Sequence, residues 1–530
     1  MKKARITAIL AMMLLALFII AACSGDEEPA PVATPEPQQD AVATPEPGVE
    51  DEPEVASEPE HLGDFTIMTL NWHGANWEDE AQSAMVWEEI ERRLLEQRNQ
   101  TINITPIIVP GGAYMERLQT ALAVQEMDAF SLWADIMFGT RPGLVTHLNP
   151  YLPEFPDLVN SFSEHHWRSV TYGGNIVAIP SIRFPKGHAT FLRYDILQDA
   201  GVPIPTTVDE LGDALQAFVD AGIEGPLFQE MWMMVMMLRG AFGVPEQNFL
   251  DENGNVLNSL FHPGFIEIMD VLNDWHSRGF ISGDFEIANY DLSRERFTAG
   301  LSGIYQRWAL NHRFDYPILL QAIPTADTAV MPPLSHNGGP AVFANDDGTN
   351  DPLFITAWAE NPSGILAFWD WRLSCIENNL LIQSGLEGHH FRADFENFTL
   401  ENTPYYADPA LTRYTGMWTF QLFYTPAFPI FRWVSDDPIQ DRGNYLTWRA
   451  AEQQRTATYI TSAIGAVPWQ HTDAVQNAFG VFNPERDIVM IEYITGRISR
   501  DEFISRVEAL REIWDNEIME AMNEVYRSLQ

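Results

Sequence analysis

The alternation of strand-like and helix-like segments at residues 65–139 is the feature that most constrains the fold of this chain. Residues 65–70 alternate and carry β-formers, and residues 102–109 predict a second strand. Apolar residues recur with helical spacing at 81–97 and 114–125, and 134–139 predicts a short third strand. Strand, helix, strand, helix, strand implies a parallel α/β sheet with right-handed crossovers.

Aromatic and basic side chains follow two of these predicted strands. Trp72 and Trp77 lie in the loop after the first strand, and Arg141 follows the third. Because ligands of open α/β sheets bind beyond the carboxyl ends of the strands, we expect these three residues at one mouth.

The N-terminus predicts export. Lys2, Lys3 and Arg5 precede an apolar run that ends Ile-Ala-Ala-Cys at Cys23, so residues 1–22 are interpreted as a signal peptide. This ending resembles the lipobox of bacterial lipoproteins, which implies cleavage before Cys23 and lipidation of Cys23. The expected location is the extracytoplasmic face of the cell membrane. An ordinary secretory signal that ends in cysteine is the alternative.

Charge and composition separate a tether from a globular body. Residues 23–61 contain VATPEP twice and 12 acidic residues without lysine or arginine, so a disordered, proline-rich tether is predicted. The net charge of −43 divides into +3 for residues 1–22, −12 for the tether and −34 for the body. Such an acidic body disfavours nucleic acid as a partner. Cys375, the other cysteine, is expected to be a buried, inert thiol within a helix.

Catalytic and metal-binding motifs are missing from the sequence. There is no Gly-x-Ser-x-Gly elbow, HExxH, P-loop or GxGxxG after a strand. The histidine pairs at 165–166 and 389–390 are adjacent rather than four residues apart. Residues 251–255 lack the distal glutamate of a calcium loop, so a hairpin turn at 253–254 is predicted. We therefore predict no catalytic residues, no metal and no cofactor.

Several segments, in order along the body, resemble the family 1 extracellular solute-binding proteins of ABC importers, in their Gram-positive lipoprotein branch. The resemblance covers about residues 62–530, and the segments that carry it are VPGGAYMERLQTAL, ADIMF, LNPYLPEFPDLV, YGGNIVAIP, FLRYDILQDAGVPIPTTVDEL, RFTAGLSGIY, SGLEGHHF and the C-terminal YITGRISRDEFISRVEAL.

The resemblance implies an α/β fold of the two-lobe, periplasmic-binding-protein type (type II), each lobe a mainly parallel sheet flanked by helices. Residues 62–188 and 341–385 are expected to form the first lobe, and 189–340 and 386–530 the second. The segments near Arg193 and at 341–358 are expected to cross between the lobes, which would close on a ligand by hinge bending.

Aromatic residues are the informative class for a ligand. The chain has 16 tryptophans, and a pyranose packs on an indole while its hydroxyls need oriented polar groups. Core packing is the alternative for each of them. Trp308 is favoured, since the resembled family often presents an aromatic to the cleft after the glycine-rich strand, whereas the apolar run 231–238 predicts that Trp232 is buried in a helix. The candidate platforms are Trp72, Trp77, Trp232, Trp308, Trp358, Trp418 and Trp433, with Arg183, Arg307 and Glu387 as polar partners.

Residues 368–391 combine a helical repeat with a turn. The repeat predicts one helix that stops at Ser384-Gly385, since glycine accepts a left-handed cap. The segment 385–391 resembles a family element at the lobe boundary, which implies ligand or hinge contact. Glu387, His390 and Phe391 are therefore candidate ligand-binding residues. Glu387 would accept from sugar hydroxyls or brace the hinge, Phe391 could supply a face, and His390 would serve more as a structural donor.

Three functions remain open from the sequence. By resemblance, the favoured one is a lipid-anchored receptor that binds an oligosaccharide between its lobes and delivers it to the transmembrane subunits of an ABC permease, without catalysis. A surface-anchored glycan hydrolase would need two carboxylates such as Asp370 and Glu387 about 5–5.5 Å apart. A lipoprotein that binds another protein is the third.

Overall fold

A computed structural model describes ten parts of the 530-residue chain. They are residues 58–71, 80–110, 113–131, 141, 143–181, 188–246, 248–344, 352–403, 427–460 and 473–528. The predicted signal peptide, Cys23 and most of the tether lie outside the described residues, as do Trp72, Trp77, Arg183, Trp418 and the predicted strand at 134–139.

The described residues form strands and helices in an alternating order. The strands are β1 (Glu60–Asn71), β2 (Gln100–Pro110), β3 (Ala129–Ser131), β4 (Thr171–Tyr172), β5 (Asn175–Ile176), β6 (His188–Arg193), β7 (Asn248–Leu250), β8 (Val256–Asn258), β9 (Ile304–Trp308), β10 (Thr328–Val330), β11 (Leu353–Ile355), β12 (Phe391–Asp394), β13 (Thr399–Asn402) and β14 (Arg432–Val434).

The α-helices vary from five to 22 residues in length. They are α1 (Glu80–Arg98), α2 (Tyr114–Ala123), α3 (Pro156–Asn160), α4 (Glu164–Ser169), α5 (Tyr194–Ala200), α6 (Val208–Asp220), α7 (Met231–Arg239), α8 (Pro263–Ser277), α9 (Tyr290–Thr298), α10 (His312–Ala322), α11 (Pro362–Leu373), α12 (Ile376–Ser384), α13 (Pro438–Thr456), α14 (Asp473–Ile494), α15 (Arg500–Ile513) and α16 (Met519–Ser528), with a π-helical turn, Trp514–Ile518, between α15 and α16.

The first lobe is built on a sheet of order β11-β3-β1-β2. β1 pairs in parallel with β2 and β3, and β11 joins antiparallel to β3. The predicted parallel strand–helix succession is confirmed, and the third strand beside β1 is Ala129–Ser131. Helices α1, α3 and α11 cover one face of this sheet, where Phe65, Ile90 and Phe368 are among the buried side chains.

The second lobe is built on a sheet of order β10-β6-β9. Here β6 runs antiparallel to both neighbours, which differs from the predicted mainly parallel sheet. Parallel pairing is nevertheless present, because Leu227 forms parallel bridges with Ile304 of β9 and with Ile281. Helices α6, α7, α8, α14 and α15 pack around a large core at this lobe. The two-lobe α/β fold class predicted from the sequence is confirmed.

Helix α13 contacts the cores of both lobes. Leu446 and Ala450 pack with Phe191 and Tyr305 of the second sheet, whereas Ala451 is buried with the first-lobe core. Gln454 also donates to the backbone oxygen of His188 at 3.1 Å. This helix therefore joins the two lobes.

The small sheet β12-β13-β14 packs on α12 of the first lobe. Phe391 and Leu400 are buried against Leu380 of that helix. Residues 386–403 thus lie against the first lobe, although the sequence prediction started a second-lobe segment at 386. The other predicted lobe limits stay predictions.

Residues 362–384 form two helices where the sequence predicted one. α11 ends at Leu373, and Cys375 has extended backbone angles, φ −152° and ψ 160°, before α12 begins. The Trp371 carbonyl accepts from Ser374 Oγ at 2.7 Å and from Asn378 Nδ2 at 3.2 Å, so side chains satisfy the end of α11. Cys375 is half-buried at the start of α12, and burial raises the pKa of its thiol.

Local signals at turns and caps act as predicted. Thr207 and Glu210 form a capping box at the start of α6. The β4–β5 hairpin turns through Gly173 and Gly174, both with positive φ, and β7–β8 turns through Gly254. Among the residues described, no helix combines the length and the apolar character that membrane crossing requires.

Candidate functional site

A cluster of aromatic side chains lies where β9 ends and β6 begins. Trp308 pairs in register with His188, and their ring centroids are 5.9 Å apart at 87°. Tyr290, at the start of α9, also meets His188 edge-on at 5.8 Å, and its hydroxyl accepts from Trp308 N at 2.9 Å. The indole of Trp308 is half-buried, so this cluster offers an aromatic surface at the strand end.

Arg307 packs against Tyr290, one member of the aromatic cluster. It is 8% exposed, its Cζ lies 4.1 Å from the Tyr290 ring centroid, and its Nη1 donates to the Tyr290 carbonyl at 3.0 Å. Its Nε lies 3.0 Å from Asp315 Oδ2, an ion pair without hydrogen-bond geometry. Arg307 therefore positions Tyr290, and its predicted role as a polar partner of a ligand stays a prediction.

Asp315 is the buried centre of this polar network. Besides Arg307, it accepts from Arg294 Nε at 2.6 Å and from the Tyr305 hydroxyl at 3.2 Å. The Tyr305 hydroxyl also lies 2.9 Å from His312 Nδ1. These bonds hold β9 and α10 together behind the aromatic surface.

Both histidines of this region are neutral at neutral pH. Burial lowers the pKa of His312 to about 3, and burial together with the charge of Arg307 lowers the pKa of His188 to about 4. His188 therefore contributes a neutral ring to the aromatic surface.

Two neighbouring glutamines, Gln229 and Gln306 of β9, each have a buried side-chain atom without a hydrogen-bond partner among the described residues. Gln229 Oε1 accepts from Gln306 N at 3.1 Å, and the two residues are 1% and 7% exposed. Gln229 Nε2 and Gln306 Oε1 are buried without a hydrogen-bond partner among the described residues. Since buried amides are normally satisfied, the pair has one donor and one acceptor left for a ligand or water. The sequence analysis missed them, because a lone glutamine carries no spacing signal.

The candidate binding residues Trp358, Arg141 and Trp433 differ from one another in exposure and contacts. Trp358 follows β11, is half-buried, and its Nε1 donates to the Met127 carbonyl at 2.8 Å. Arg141 is exposed. Trp433 of β14 is half-buried against the small core around Phe391. Trp358 is therefore anchored to its own lobe.

The segment 385–391 is clamped to the start of α1. Gln82 Oε1 lies 3.0 Å from Nε2 of both His389 and His390. Leu386 N donates to His390 Nδ1 at 2.8 Å, and burial, with a smaller contribution from His389, lowers the pKa of His390 to about 4. His390 thus makes structural contacts with Leu386 and Gln82, and its predicted place at a ligand site stays a prediction.

Glu387 and Phe391 differ in exposure within this segment. Glu387 is exposed, whereas Phe391 is 2% exposed in the core that it shares with Leu380 and Leu400. Only Glu387 of these two presents its side chain to solvent.

Trp232 lies in a helix, as predicted, but it is only half-buried. Its ring forms part of the wall of a cavity in the second lobe. The surrounding run of methionines had predicted a fully buried helix. The polar residues that line the cavity beside Trp232 come mostly from distant segments, so the local sequence did not indicate them.

The fold described above is that of the extracellular solute-binding proteins of ABC transporters. The HMO-binding ABC-transporter-associated solute-binding protein of Bifidobacterium longum infantis is 16% identical, with a TM-score of 0.60, over 89% of this chain and 99% of that one. The N-glycan transport solute-binding protein NgtS of Streptococcus pneumoniae is 14% identical, with a TM-score of 0.57, over 88% and 98%. At these identities the likeness concerns the fold.

Among curated proteins, the chain is similar to two from Bacillus subtilis. The polygalacturonan/rhamnogalacturonan-binding protein YtcQ is 23% identical over 364 residues, which cover 64% of this chain and 70% of that protein. Lipoprotein LipO is 21% identical over 213 residues, which cover 37% of this chain and 42% of LipO. No family model matches the chain. The resemblance predicted from the sequence is confirmed by these sugar-binding and solute-binding relatives.

Proposed function

We propose that this protein is an extracytoplasmic receptor that binds an oligosaccharide between its two lobes and delivers it to an ABC permease. The observation that carries the proposal is the aromatic surface of Trp308, His188 and Tyr290 at the end of β9, backed by a buried polar network. A sugar ring would pack on this surface, and the unused amides of Gln229 and Gln306 would meet hydroxyl groups.

The relatives support this choice of ligand class. YtcQ is named for binding polygalacturonan and rhamnogalacturonan, and the structurally similar proteins are named for HMO and N-glycan ligands. Ligand binding would shift an equilibrium between open and closed lobes, with α13 as the shared element. No bond of the ligand would be broken.

The anchoring part of the proposal depends on Cys23. The basic residues, the apolar run and the Ile-Ala-Ala-Cys ending support lipidation at that cysteine, and the similarity to lipoprotein LipO agrees. Replacing Cys23 with alanine should release the protein from the membrane fraction. Membrane retention of that variant would contradict lipid anchoring at Cys23.

The contacts of Asp370, a carboxylate that the hydrolase alternative would use, do not favour that alternative. Asp370 is 3% exposed, its Oδ2 accepts from Arg98 Nη1 at 2.7 Å, and its Oδ1 accepts from Leu158 N at 2.8 Å. Both of its oxygens are occupied by structural bonds. A nucleophile or general acid has to be available to the substrate, and Asp370 is not.

The test is to incubate the purified protein with a panel of neutral and acidic oligosaccharides. We expect one class to raise the unfolding temperature and to reduce the radius of gyration in small-angle scattering, while chromatography recovers the sugar unchanged. Release of shorter products would contradict the receptor function and support the hydrolase. Binding without compaction would contradict closure of the lobes.

A further inference from the structure

A cavity of about 420 Å³ lies in the second lobe, apart from the aromatic cluster at the end of β9. Its wall comes from α7, the β7–β8 hairpin, α14 and α16, and it shares no residue with that cluster. The volume falls within the ~300–1,000 Å³ of small-ligand sites. The lining combines Trp232, Phe479 and two methionines with asparagines, Ser259, Glu246 and two arginines, Arg239 and Arg486.

The two arginines are held by one indole. Arg486 Cζ lies 4.4 Å and Arg239 Cζ 5.7 Å from the ring centroid of Trp232. Arg239 is also 5.8 Å from the ring of Phe265. Cation–π attraction of this kind fixes guanidinium groups without using their N–H donors. Trp232 therefore pre-orients two positive groups at the cavity wall.

Arg239 is a buried charge with few bonds. It is 4% exposed, and its Nη1 donates to the Pro245 carbonyl at 2.8 Å. Its other N–H groups have no hydrogen-bond acceptor in the parts of the chain that the structure covers. Burial lowers its pKa to about 10, so the group is still charged at neutral pH. A buried cation with unused donors is unfavourable unless something compensates it.

Arg486 adds further hydrogen-bond donors close to Trp232. Its Nε donates to Asp487 Oδ1 at 2.9 Å, and within the described residues its two terminal nitrogens have no acceptor. Asp487 offsets part of the charge of Arg486, and the charge of Glu246 acts on Arg239. An incoming anion would face two guanidinium groups at a wall that has one carboxylate, Glu246.

We propose that this cavity binds the carboxylate of an acidic sugar residue, with Arg239 and Arg486 as the charged donors. A guanidinium fork matches a planar carboxylate, and the asparagines and Ser259 suit the hydroxyls of the same sugar. This second site goes beyond the proposed binding of a ligand between the lobes, and it rests on the protein being a carbohydrate receptor. It also shows how a body of charge −34 could take an anionic glycan, since the recognition is local.

The test compares an acidic oligosaccharide with its neutral ester by calorimetry on the full-length protein. Trigalacturonate and its fully methyl-esterified form have the same rings and differ in charge. We expect the acid to bind at least tenfold more tightly than the ester. Equal affinities would overturn the proposal.

Two matched arginine variants test whether the preference for the acidic sugar depends on this cavity. Arg486→Gln should weaken acid binding roughly 10- to 100-fold, the range for losing charge-assisted hydrogen bonds, and weaken ester binding much less, because an ester carbonyl accepts a hydrogen bond but carries no charge. Arg296→Gln is the control, because Arg296 Cζ also lies 4.4 Å over an aromatic ring, Phe228, and pairs with Asp284, outside the cavity. A folded Arg486→Gln protein with unchanged acid affinity would overturn the site even if Arg239 variants fail to fold.

Inorganic phosphate and neutral oligosaccharides separate the remaining outcomes. Phosphate that binds as tightly as trigalacturonate, with the same dependence on Arg486, would overturn the sugar assignment in favour of a general oxyanion site. Neutral oligosaccharides that bind the wild type and Arg486→Gln equally, without any acid preference, would overturn the cavity proposal but keep the receptor function. Failure of every oligosaccharide to bind would remove both.

Discussion

Gly385 holds the clamp between the segment 385–391 and α1, and replacing it with alanine is expected to open that clamp. Its backbone angles are φ +89° and ψ −151°, a region that is essentially restricted to glycine. A Cβ at Gly385 would lie 2.5 Å from His390 Nδ1. Alanine would therefore strain the backbone and displace the His390 ring.

The expected loss of stability is the sum of the backbone strain and the lost hydrogen bonds of His390. Strain in such a backbone region costs about 1–3 kcal/mol. Displacing His390 breaks its bonds to Leu386 N at 2.8 Å and to Gln82 at 3.0 Å, each worth about 1 kcal/mol. We expect Gly385→Ala to lower the free energy of unfolding by roughly 3–5 kcal/mol, the sum of these contributions.

Gly388 is a control with positive φ and open space. Its φ is +83°, and no atom lies within 4 Å of a Cβ built there. Gly388→Ala should cost only the backbone term, about 1–2 kcal/mol. Urea unfolding of both variants, followed by tryptophan fluorescence, measures the difference.

A double-mutant cycle identifies the contact responsible. In a His390→Ala background the obstructing ring is gone, so Gly385→Ala should lose its clash component and retain its backbone component. If Gly385→Ala is no more destabilising than Gly388→Ala, or if its effect is the same with and without His390, the reasoning about this close contact is refuted.

Three further predictions concern the ligand and pH. Trp308→Ala should weaken oligosaccharide binding at least tenfold by calorimetry, since it removes the ring on which we propose that the sugar packs. Trp358→Phe should lower stability through the lost bond to Met127 without changing affinity, and equal effects of the two variants on affinity would contradict the site. Glu387→Ala should weaken binding without changing the unfolding midpoint, and unchanged affinity would remove Glu387 from the site. The lowered pKa values of His312 and His188 mean that the unfolded chain binds more protons than the folded chain below about pH 6.5. As the pH falls, the free energy of unfolding should fall for each histidine with a slope of about 0.7 kcal/mol per pH unit near pH 6.5 that approaches about 1.4 kcal/mol per pH unit near pH 5, and a flat profile would contradict their burial as neutral rings.

The first sheet, the caps and the turns were predictable from sequence because their causes are local. Apolar periodicity located β1, α1 and β2, and the Thr207–Glu210 spacing marked the start of α6. The glycine at 385 was correctly placed as a helix stop. Its role as the site of a close contact was not predictable, because His390 reaches it only through a turn whose geometry the neighbouring residues do not specify.

The candidate sites show the complementary limit. Sequence alone determined an acidic chain and predicted its α/β fold and its export, with Trp308 at a strand end and Glu387 in a glycine turn, since strand period, charge and turn residues act over short distances. Only the tertiary structure decided that Arg307 supports Tyr290, that Gln229 pairs with Gln306, and that Arg239 and Arg486 meet at Trp232. These residues come from distant segments, and their contacts depend on how helices pack across a sheet, which no local pattern encodes.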